Sequence, residues 1–345
     1  DAFSRFNFDW LGYRKYAYMF SATLTLIGLV SFFTRGFELG LDFKGGYSYN
    51  ISFDNSQKVE AEQVRQALAP GFDGKAPLVK SIDTENTYNV VTDYLIDATE
   101  PINGVEPADL VMQRLYDGVK TLPGNADLVP ERFKDADGSG THITSSSKVG
   151  PTIADDITRS AFWALGSALL LIFLYIFIRF SKWQYSMGAV AALFHDTLIV
   201  LSLFSLFHGI AGFSLEIDQH FIAAILTVIG YSVNDTVIVF DRIREYLGLH
   251  SQGTRKEIIN RSLNTTLSRT MITSATTLFT VIVLFFFGGA SIKGFAFALL
   301  SGILAGTYSS VYIATALMYD FTRDKNAEIV HAPKKTTTKA TAKAK

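Results

Sequence analysis

Long apolar runs alternate with polar stretches along this chain, and six of the runs approach the ~20 residues that a helix needs to cross a membrane. A polar insertion, residues 34–159, separates the first run from the second, whereas the other connections are short. The pattern predicts a membrane α-helical protein with six transmembrane helices at 16–33, 161–178, 185–207, 220–240, 272–287 and 295–318. The fifth run is short, so its helix is expected to start near residue 267. The predicted organisation is an N-terminal segment 1–15, a first helix 16–33, the insertion 34–159, a five-helix bundle within 160–320 and a tail 321–345.

The insertion carries the periodicities of a separate α+β domain. Apolar and polar residues alternate at 47–53 and again at 87–92, as they do in half-buried strands. Helical spacing occurs at 59–68 and 108–120, and a polar β-type run at 141–149 leads back to the membrane. The order β-α-β-β-α-β predicts a ferredoxin-like sandwich, and about 125 residues are enough for one domain with its own core.

Lysine and arginine are concentrated in alternate loops, and this bias orients the helices because positively charged loops stay in the cytoplasm. The segment before the first helix, the loops after the second and fourth helices, and the tail are all rich in these residues. The 208–219 connection has none, and the 288–294 connection has only Lys293. We therefore expect a multi-pass membrane protein with cytoplasmic termini, a disordered Lys/Thr/Ala-rich tail and an insertion on the opposite side of the membrane, which in a Gram-negative cell is the periplasm.

Composition narrows the class of protein further. The chain has 345 residues, of which 48% are hydrophobic, and its formal net charge of −1 gives no reason to expect a nucleic-acid partner. It has no cysteine, which excludes disulfides and thiolate metal sites. No Walker loop, H-E-x-x-H or G-x-S-x-G motif occurs, and no ligand cluster predicts a metal. We therefore expect a protein that is not an enzyme, has no cofactor and takes its energy from an ion gradient or a partner.

An acid lies inside the fourth predicted span. Asp235 is flanked there by Asn234 and Thr236, and Arg269 lies near the start of the fifth span. An ionisable group at membrane depth costs about 2.5–3.5 kcal/mol on insertion scales and commonly marks the path of an ion or substrate. If the distance between Asp235 and Arg269 changes during a cycle, the acid takes up and releases a proton. The alternative is a static buried ion pair that only fixes helix packing.

Other predicted spans carry polar or small residues at helical spacing. On the fifth span these are Thr266, Arg269, Thr273, Thr276, Thr277 and Thr280. We expect this stripe to face protein or water, although threonine can also bond to its own helix. His195 and Asp196 on the third span are either part of a proton relay or a packing hydrogen bond. A ridge on the sixth span predicts close helix packing through Gly294, Ala298, Gly302 and Gly306.

The motifs along the chain resemble those of the SecF family of the bacterial Sec translocon. The resemblance covers roughly residues 9–320 and is most specific in GYSVNDTVIVFDRIRE and SRTMITSATT, at 230–245 and 268–277. Further similar motifs are GLDFKGG at 40–46, KVGPTIADD at 148–156 and LFHDTLI at 193–199.

This resemblance implies an RND-type fold of six spans with one large periplasmic domain, and a subunit that uses the proton gradient, or sodium in some members, to move preproteins out of SecYEG. The implied partners are SecD, SecYEG, YajC and YidC, an unfolded preprotein and membrane lipid. A start at Asp1 rather than Met fits the SecF half of a SecD–SecF fusion or a trimmed SecF. Asp235 and Arg269 match the ion-coupling pair, with Asn234, Thr236, Thr273 and Thr276 in support. The implied periplasmic hinge residues are Asp42, Gly45, Gly46, Gly150 and Pro151.

Two other functions remain open from the sequence. An RND-type proton-coupled exporter of a small molecule or lipid predicts a wide apolar pocket and a larger periplasmic domain. A scaffold without transport activity predicts that Asp235 and Arg269 can both be exchanged for apolar residues without loss.

Overall fold

The computed structural model describes residues 7–54, 58–82, 85–98, 100–249 and 253–322. In chain order, the first elements are α1 (Arg14–Arg35), β1 (Glu38–Leu39), α2 (Leu41–Lys44), β2 (Gly46–Ser52), α3 (Ala61–Leu68), β3 (Leu78–Ser81), β4 (Thr87–Thr92), α4 (Pro107–Lys120), α5 (Pro130–Phe133) and β5 (His142–Val149). They are followed by α6 (Pro151–Phe180), α7 (Trp183–Phe207), β6 (Glu216–Ile217), α8 (Gln219–Gly248), α9 (Arg255–Phe287), α10 (Lys293–Ser309), a π-helical turn (Ser310–Ala314) and α11 (Thr315–Asp320). The predicted tail lies outside the described residues except for its first two positions.

Six helical stretches within the described residues are long and apolar enough to cross a membrane: α1, α6, α7, α8, α9, and α10 with α11. Each predicted apolar run lies inside one of them. Two helices extend well beyond the predicted spans, because α9 begins at Arg255, before residue 267, and α6 begins at Pro151, before residue 161. Hydropathy marks only the part of a helix that suits hydrocarbon, whereas a polar extension stays helical when its end is capped. Thr254 and Glu257 form such a capping box at the start of α9.

Two apolar clusters hold the membrane helices together. One joins the end of α6, the first half of α7 and the second half of α8 to the start of α9 and to α11, and includes Phe180, Tyr185 and Phe240. The other joins α7, α8, α9 and α10 nearer the α+β domain, and includes Phe204 and Phe221. The two clusters share helices α7, α8 and α9, so the bundle packs continuously from one end to the other.

Between α1 and α6 the chain forms an α+β domain. Its four strands lie in the order β3-β4-β2-β5, with antiparallel pairing throughout. The alternation in β2 directs Tyr47, Tyr49 and Ile51 to one face of the sheet, where α3 and α4 cover them with residues such as Val64 and Leu115. The helices and the sheet thus pack into one core, because the sequence periodicity of each element gives it one apolar face.

A short parallel ladder connects this domain to the membrane helices. Glu38 and Leu39 of β1 pair with Glu216 and Ile217 of β6, just before α8 begins. Next along the chain, the Gly40 amide donates to the Ile217 carbonyl at 2.8 Å. The ladder therefore joins the end of α1 to the start of α8.

Charged side chains reinforce this junction. The ammonium group of Lys80, on edge strand β3, contacts the Glu216 carboxylate, and His208 Nδ1 lies 3.1 Å from Glu38 Oε2. Burial lowers the pKa of Lys80, while the carboxylates of Glu38 and Asp218 act in the opposite direction. The α+β domain thus rests on the α7–α8 connection through Lys80.

The predicted hinge residues lie where the two domain linkers meet. Gly46 has φ 141° and pairs with Val149, and a Cβ on it would lie 2.6 Å from the Thr92 carbonyl oxygen. Gly45, with φ 71°, lies against Val149 and Pro151, so both positions require glycine. Pro151 opens α6 after Gly150. The Gln219 amide, at the start of α8, donates to the Asp42 carboxylate at 3.2 Å.

Candidate functional site

Asp235 is buried in the middle of α8, with 1% of its surface exposed. Its Oδ2 atom has no hydrogen-bond partner among the described residues. The polar groups of α9 that act on its carboxyl group are Ser274 and Arg269. Ser274 is itself engaged, because it accepts from Tyr231 at 3.0 Å and shares a hydrogen bond of 2.8 Å with Thr307 of α10. Asp235 therefore lies where α8, α9 and α10 meet, with one oxygen left available.

Arg269 does not form a direct ion pair with Asp235. No carboxylate oxygen lies within 4.0 Å of its guanidinium in the part of the chain that the structure describes, and its side chain is exposed on the bundle surface. It lies in the wall of a cavity of about 1080 Å³ that opens between residues 7–9, the C-terminal part of α8 and the N-terminal part of α9. The two groups interact across a gap, so a contact ion pair is not what fastens α8 to α9 in this conformation.

Most of the polar stripe predicted on α9 lies on its exposed side. Arg269, Thr273, Thr276 and Thr280 are exposed and Thr277 is half-buried. Thr266 lies at the edge of this face and is buried against the bundle, as are Thr270 and Ser274 on the adjoining face. Thr273 and Thr276 donate to the carbonyls four residues earlier, at 3.1 and 3.0 Å. Their hydroxyls are satisfied by the helix itself and do not reach Asp235.

The flanks of Asp235 also differ from each other. Asn234 is exposed, whereas Thr236 is buried and its hydroxyl has no hydrogen-bond partner among the described residues. Exposed polar side chains thus occur on both helices, Asn234 on α8 and Arg269, Thr273, Thr276 and Thr280 on α9.

Asp196 of α7 is the hydrogen-bonded acid of the bundle. It is fully buried, and its Oδ2 accepts from Ser232 of α8 at 2.7 Å and from Ser309 of α10 at 2.8 Å. Its Oδ1 lies 3.1 Å from His195 Nδ1, and His195 Nε2 has no partner among the described residues. This geometry favours the packing interpretation of the His195–Asp196 pair. Sequence reasoning missed Ser309, whose only signal is its position one turn after Gly306.

The small residues of α10 allow α8 to approach closely. A Cβ on Gly302 would lie 2.3 Å from Val228 Cγ2, and one on Gly306 would lie 2.9 Å from Ser232 Cβ. Gly294 faces the Ser214 carbonyl in the same way, at 2.8 Å, and Ala298 is completely buried. This closeness brings Ser232 and Ser309 within reach of one carboxylate.

A second feature missed from the sequence is a strap formed by residues 8–11. Asn264 Oδ1 accepts from the Phe8 amide at 3.2 Å and from Trp10 Nε1 at 2.9 Å. One turn earlier, Asn260 Oδ1 accepts from the Leu11 amide at 3.1 Å. The i, i+4 spacing of the two asparagines is the signal that identifies the bonded face of α9. The strap closes one side of the cavity that contains Arg269.

These features define a class of multi-pass membrane protein with an inserted α+β domain and an acid buried in its helical bundle. The family model for "Protein export membrane protein SecD/SecF, C-terminal" matches residues 129–324, and that for "SecD/SecF GG Motif" matches residues 30–57. The chain belongs to the SecF family of protein translocase subunits.

The similarity extends along nearly the whole chain. It is 45% identical to the protein translocase subunit SecF of Rhodothermus marinus, covering 92% of this chain and 94% of that protein. It is 38% identical to the SecF of Haemophilus influenzae, covering 90% and 85%. Among solved structures, it resembles SecDF of Thermus thermophilus, a translocon-associated membrane protein, with a TM-score of 0.73 and 32% identity over 92% of this chain. It spans only 39% of that SecDF chain.

Proposed function

We propose that this chain is the ion-coupled subunit of a protein-export complex and that it uses the proton motive force to move preproteins out of a SecYEG channel. The observation that carries the proposal is the buried Asp235 carboxyl group, which has an unpartnered oxygen among the described residues and interacts with Arg269, a residue in the wall of the cavity between residues 7–9, α8 and α9. A carboxylate in this setting suits H⁺, with Na⁺ as the alternative coupling ion. One charge crossing 100 mV supplies about 2.3 kcal/mol. No nucleotide hydrolysis is required.

Helix α8 provides a mechanical route from Asp235 to the α+β domain. When Asp235 gains a proton, its attraction to Arg269 disappears, and the packing of α8 against α9 changes. The start of α8 is bonded to Asp42, and the preceding strand β6 pairs with β1. A shift of α8 therefore moves the junction on which the domain rests. We propose that this domain is ferredoxin-like and periplasmic, and that its motion pulls an emerging preprotein or prevents its backsliding.

The proposed partner is SecD or a SecD-like chain. The exposed amide of Asn234, in the middle of α8, supports this, because acyl chains offer an amide no hydrogen-bond partner, whereas a neighbouring protein would offer one. The match to SecDF adds support, since most of that chain lies beyond the region this chain spans. SecYEG, YajC and YidC, a cytoplasmic location of both termini and the inner membrane belong to the same proposal.

The proposal is tested with inverted membrane vesicles that contain or lack this subunit. We expect the subunit to increase protease protection of an exported precursor several-fold, and a protonophore to remove that increase; a sodium ionophore would remove it instead if Na⁺ is the coupling ion. An increase that survives both ionophores would favour a scaffold. No increase in precursor protection, together with gradient-dependent efflux of a small molecule or lipid, would favour the exporter.

Locking the domain to the α7–α8 connection is expected to stop export. The chain lacks cysteine, so Lys80→Cys with Glu216→Cys places a unique thiol pair across the junction. A reducible bis-thiosulfonate cross-linker should lower precursor protection at least about fivefold, because the cross-link holds the α+β domain on the α7–α8 connection. Reductant should restore precursor protection.

The matched control places both cysteines within the sheet. Ser48→Cys with Ser147→Cys cross-links strands β2 and β5, which are already paired and move together. It should leave export unchanged. Full export by the chain cross-linked at 80 and 216 would show that the domain works without leaving the junction.

A further inference from the structure

The cytoplasmic cavity of about 1080 Å³ carries more positive than negative charge. It lies between the strap, α8 and α9, and its cations are Arg242, Lys256, Arg261 and Arg269. The acids that line it are Asp9 and Glu257.

Most of these charges are already engaged. Asp9 Oδ2 accepts from Lys256 at 2.7 Å, and Glu257 completes the capping box with Thr254 at the start of α9. Arg242 pairs with Glu245 at 2.8 Å. Arg261 and Arg269 have no carboxylate partner within the described chain. Two guanidinium groups on one side of α9 are therefore free to bind an anion.

The position of the cavity suits a lipid headgroup. Helix α9 has 33 residues and is ~50 Å long, which exceeds a ~30 Å hydrocarbon core, and its apolar part begins only after Thr270. Arg261 and Arg269 are two turns apart, with a rise of ~12 Å, on the polar part. Thr265 and Ser268 line the cavity between them and provide hydroxyl groups.

An apolar track continues from the cavity along α9. Ile272 lines the inner end of the cavity, and Phe279 and Phe286 follow at steps of seven residues, 70% and 68% exposed. An acyl chain can pack along such an apolar track, whereas a free phosphate or an acidic peptide makes no favourable apolar contact with it. Two guanidinium groups and an exposed apolar track thus adjoin each other on one helix.

We propose that this cavity binds one anionic glycerophospholipid, with its phosphate between Arg261 and Arg269 and an acyl chain along Ile272, Phe279 and Phe286. Basic pockets between membrane helices on the cytoplasmic side are suited to anionic headgroups. Lipid bound there contacts Arg269 and so adjusts the charge near Asp235, which makes the lipid composition of the membrane a regulator of this subunit.

The test is lipid retention by the intact complex in native mass spectrometry, with phosphatidylglycerol and phosphatidylethanolamine of identical acyl chains as probes. We expect one retained phosphatidylglycerol in preference to phosphatidylethanolamine. Arg261→Gln should reduce that retention about fivefold, which corresponds to roughly 1 kcal/mol for one cation near an anionic surface. Arg261→Lys should restore most of it. Arg261 is chosen because it is not part of the proposed ion-coupling pair.

Lys182→Gln is the matched control, because it removes one exposed charge from the other cytoplasmic loop. Equal loss in Lys182→Gln and Arg261→Gln, or equal retention of the two lipids, would overturn the proposal. Displacement of phosphatidylglycerol by millimolar inorganic phosphate would also overturn it, by identifying a free-anion site. Displacement by an acidic peptide would overturn it in favour of a protein segment. None of these outcomes depends on whether Asp235 couples an ion to export.

Discussion

Replacing Asp235 with Asn is expected to remove the gradient-driven part of export while the protein remains folded. Asn has the same shape but does not titrate, and the Oδ2 atom of Asp235 has no hydrogen bond to lose within the described residues. We expect precursor protection in vesicles to fall at least about tenfold, equivalent to ~1.4 kcal/mol, and to become insensitive to a protonophore. Thermal unfolding in detergent should change little.

Asp241→Asn provides the control on the same helix. Asp241 pairs with Arg179 at 3.0 Å and with Arg244 at 3.3 Å, and all three side chains are more than a third exposed, so loss of each pair should cost at most ~1 kcal/mol. Export by Asp241→Asn should therefore be within about twofold of the parent. If Asp235→Asn also exports normally and still responds to the protonophore, the relay is wrong and Asp235 is only a packing residue.

Introducing a side chain at Gly302 is expected to separate α10 from α8. In Gly302→Val the new Cβ would meet Val228 Cγ2 at 2.3 Å, far inside van der Waals contact, on two helices that share a tightly packed core. Overpacking of this kind typically costs about 1–3 kcal/mol and occasionally more. Separation would also remove Ser232 and Ser309 from Asp196, leaving Oδ2 of this buried carboxylate without its two donors. We expect several-fold lower abundance in the membrane and a melting temperature reduced by several degrees.

Two variants make this prediction specific. Gly166→Val on α6 adds the same side chain where nothing lies within 4 Å, and it should be close to neutral. Adding Val228→Ala to Gly302→Val removes the atoms that clash and should recover a large part of the stability. Equal destabilisation by both glycine variants would mean that helix propensity, not the contact with Val228, is what matters.

The sequence predicts the positions of the transmembrane helices better than the residues at which they begin and end. Apolar length identifies each transmembrane helix because hydrocarbon offers backbone groups no partner, so the whole run must satisfy its hydrogen bonds as a helix. It says little about where the helix stops, and α9 continues to Arg255 through a polar sequence stabilised by its cap and by the strap at Asn260 and Asn264. Those contacts join residues that are about 250 positions apart in the chain, beyond the reach of any local pattern.

The candidate site could also be predicted only in part from the sequence. Asp235 could be identified as a candidate site residue from residue type and hydropathy alone, because an ionisable group in an apolar helix is energetically expensive and commonly functional. Neighbours from other helices decide which carboxylate oxygens are bonded: they make Asp196 the acceptor for Ser232 and Ser309 and leave Asp235 Oδ2 without a partner among the described residues. The outward direction of Arg269 and of the threonines also required the packed bundle. Periodicity specifies the faces of a helix but not which element each face contacts. Threonine residues give no further indication, because a threonine hydroxyl can donate to a carbonyl of its own helix on any face.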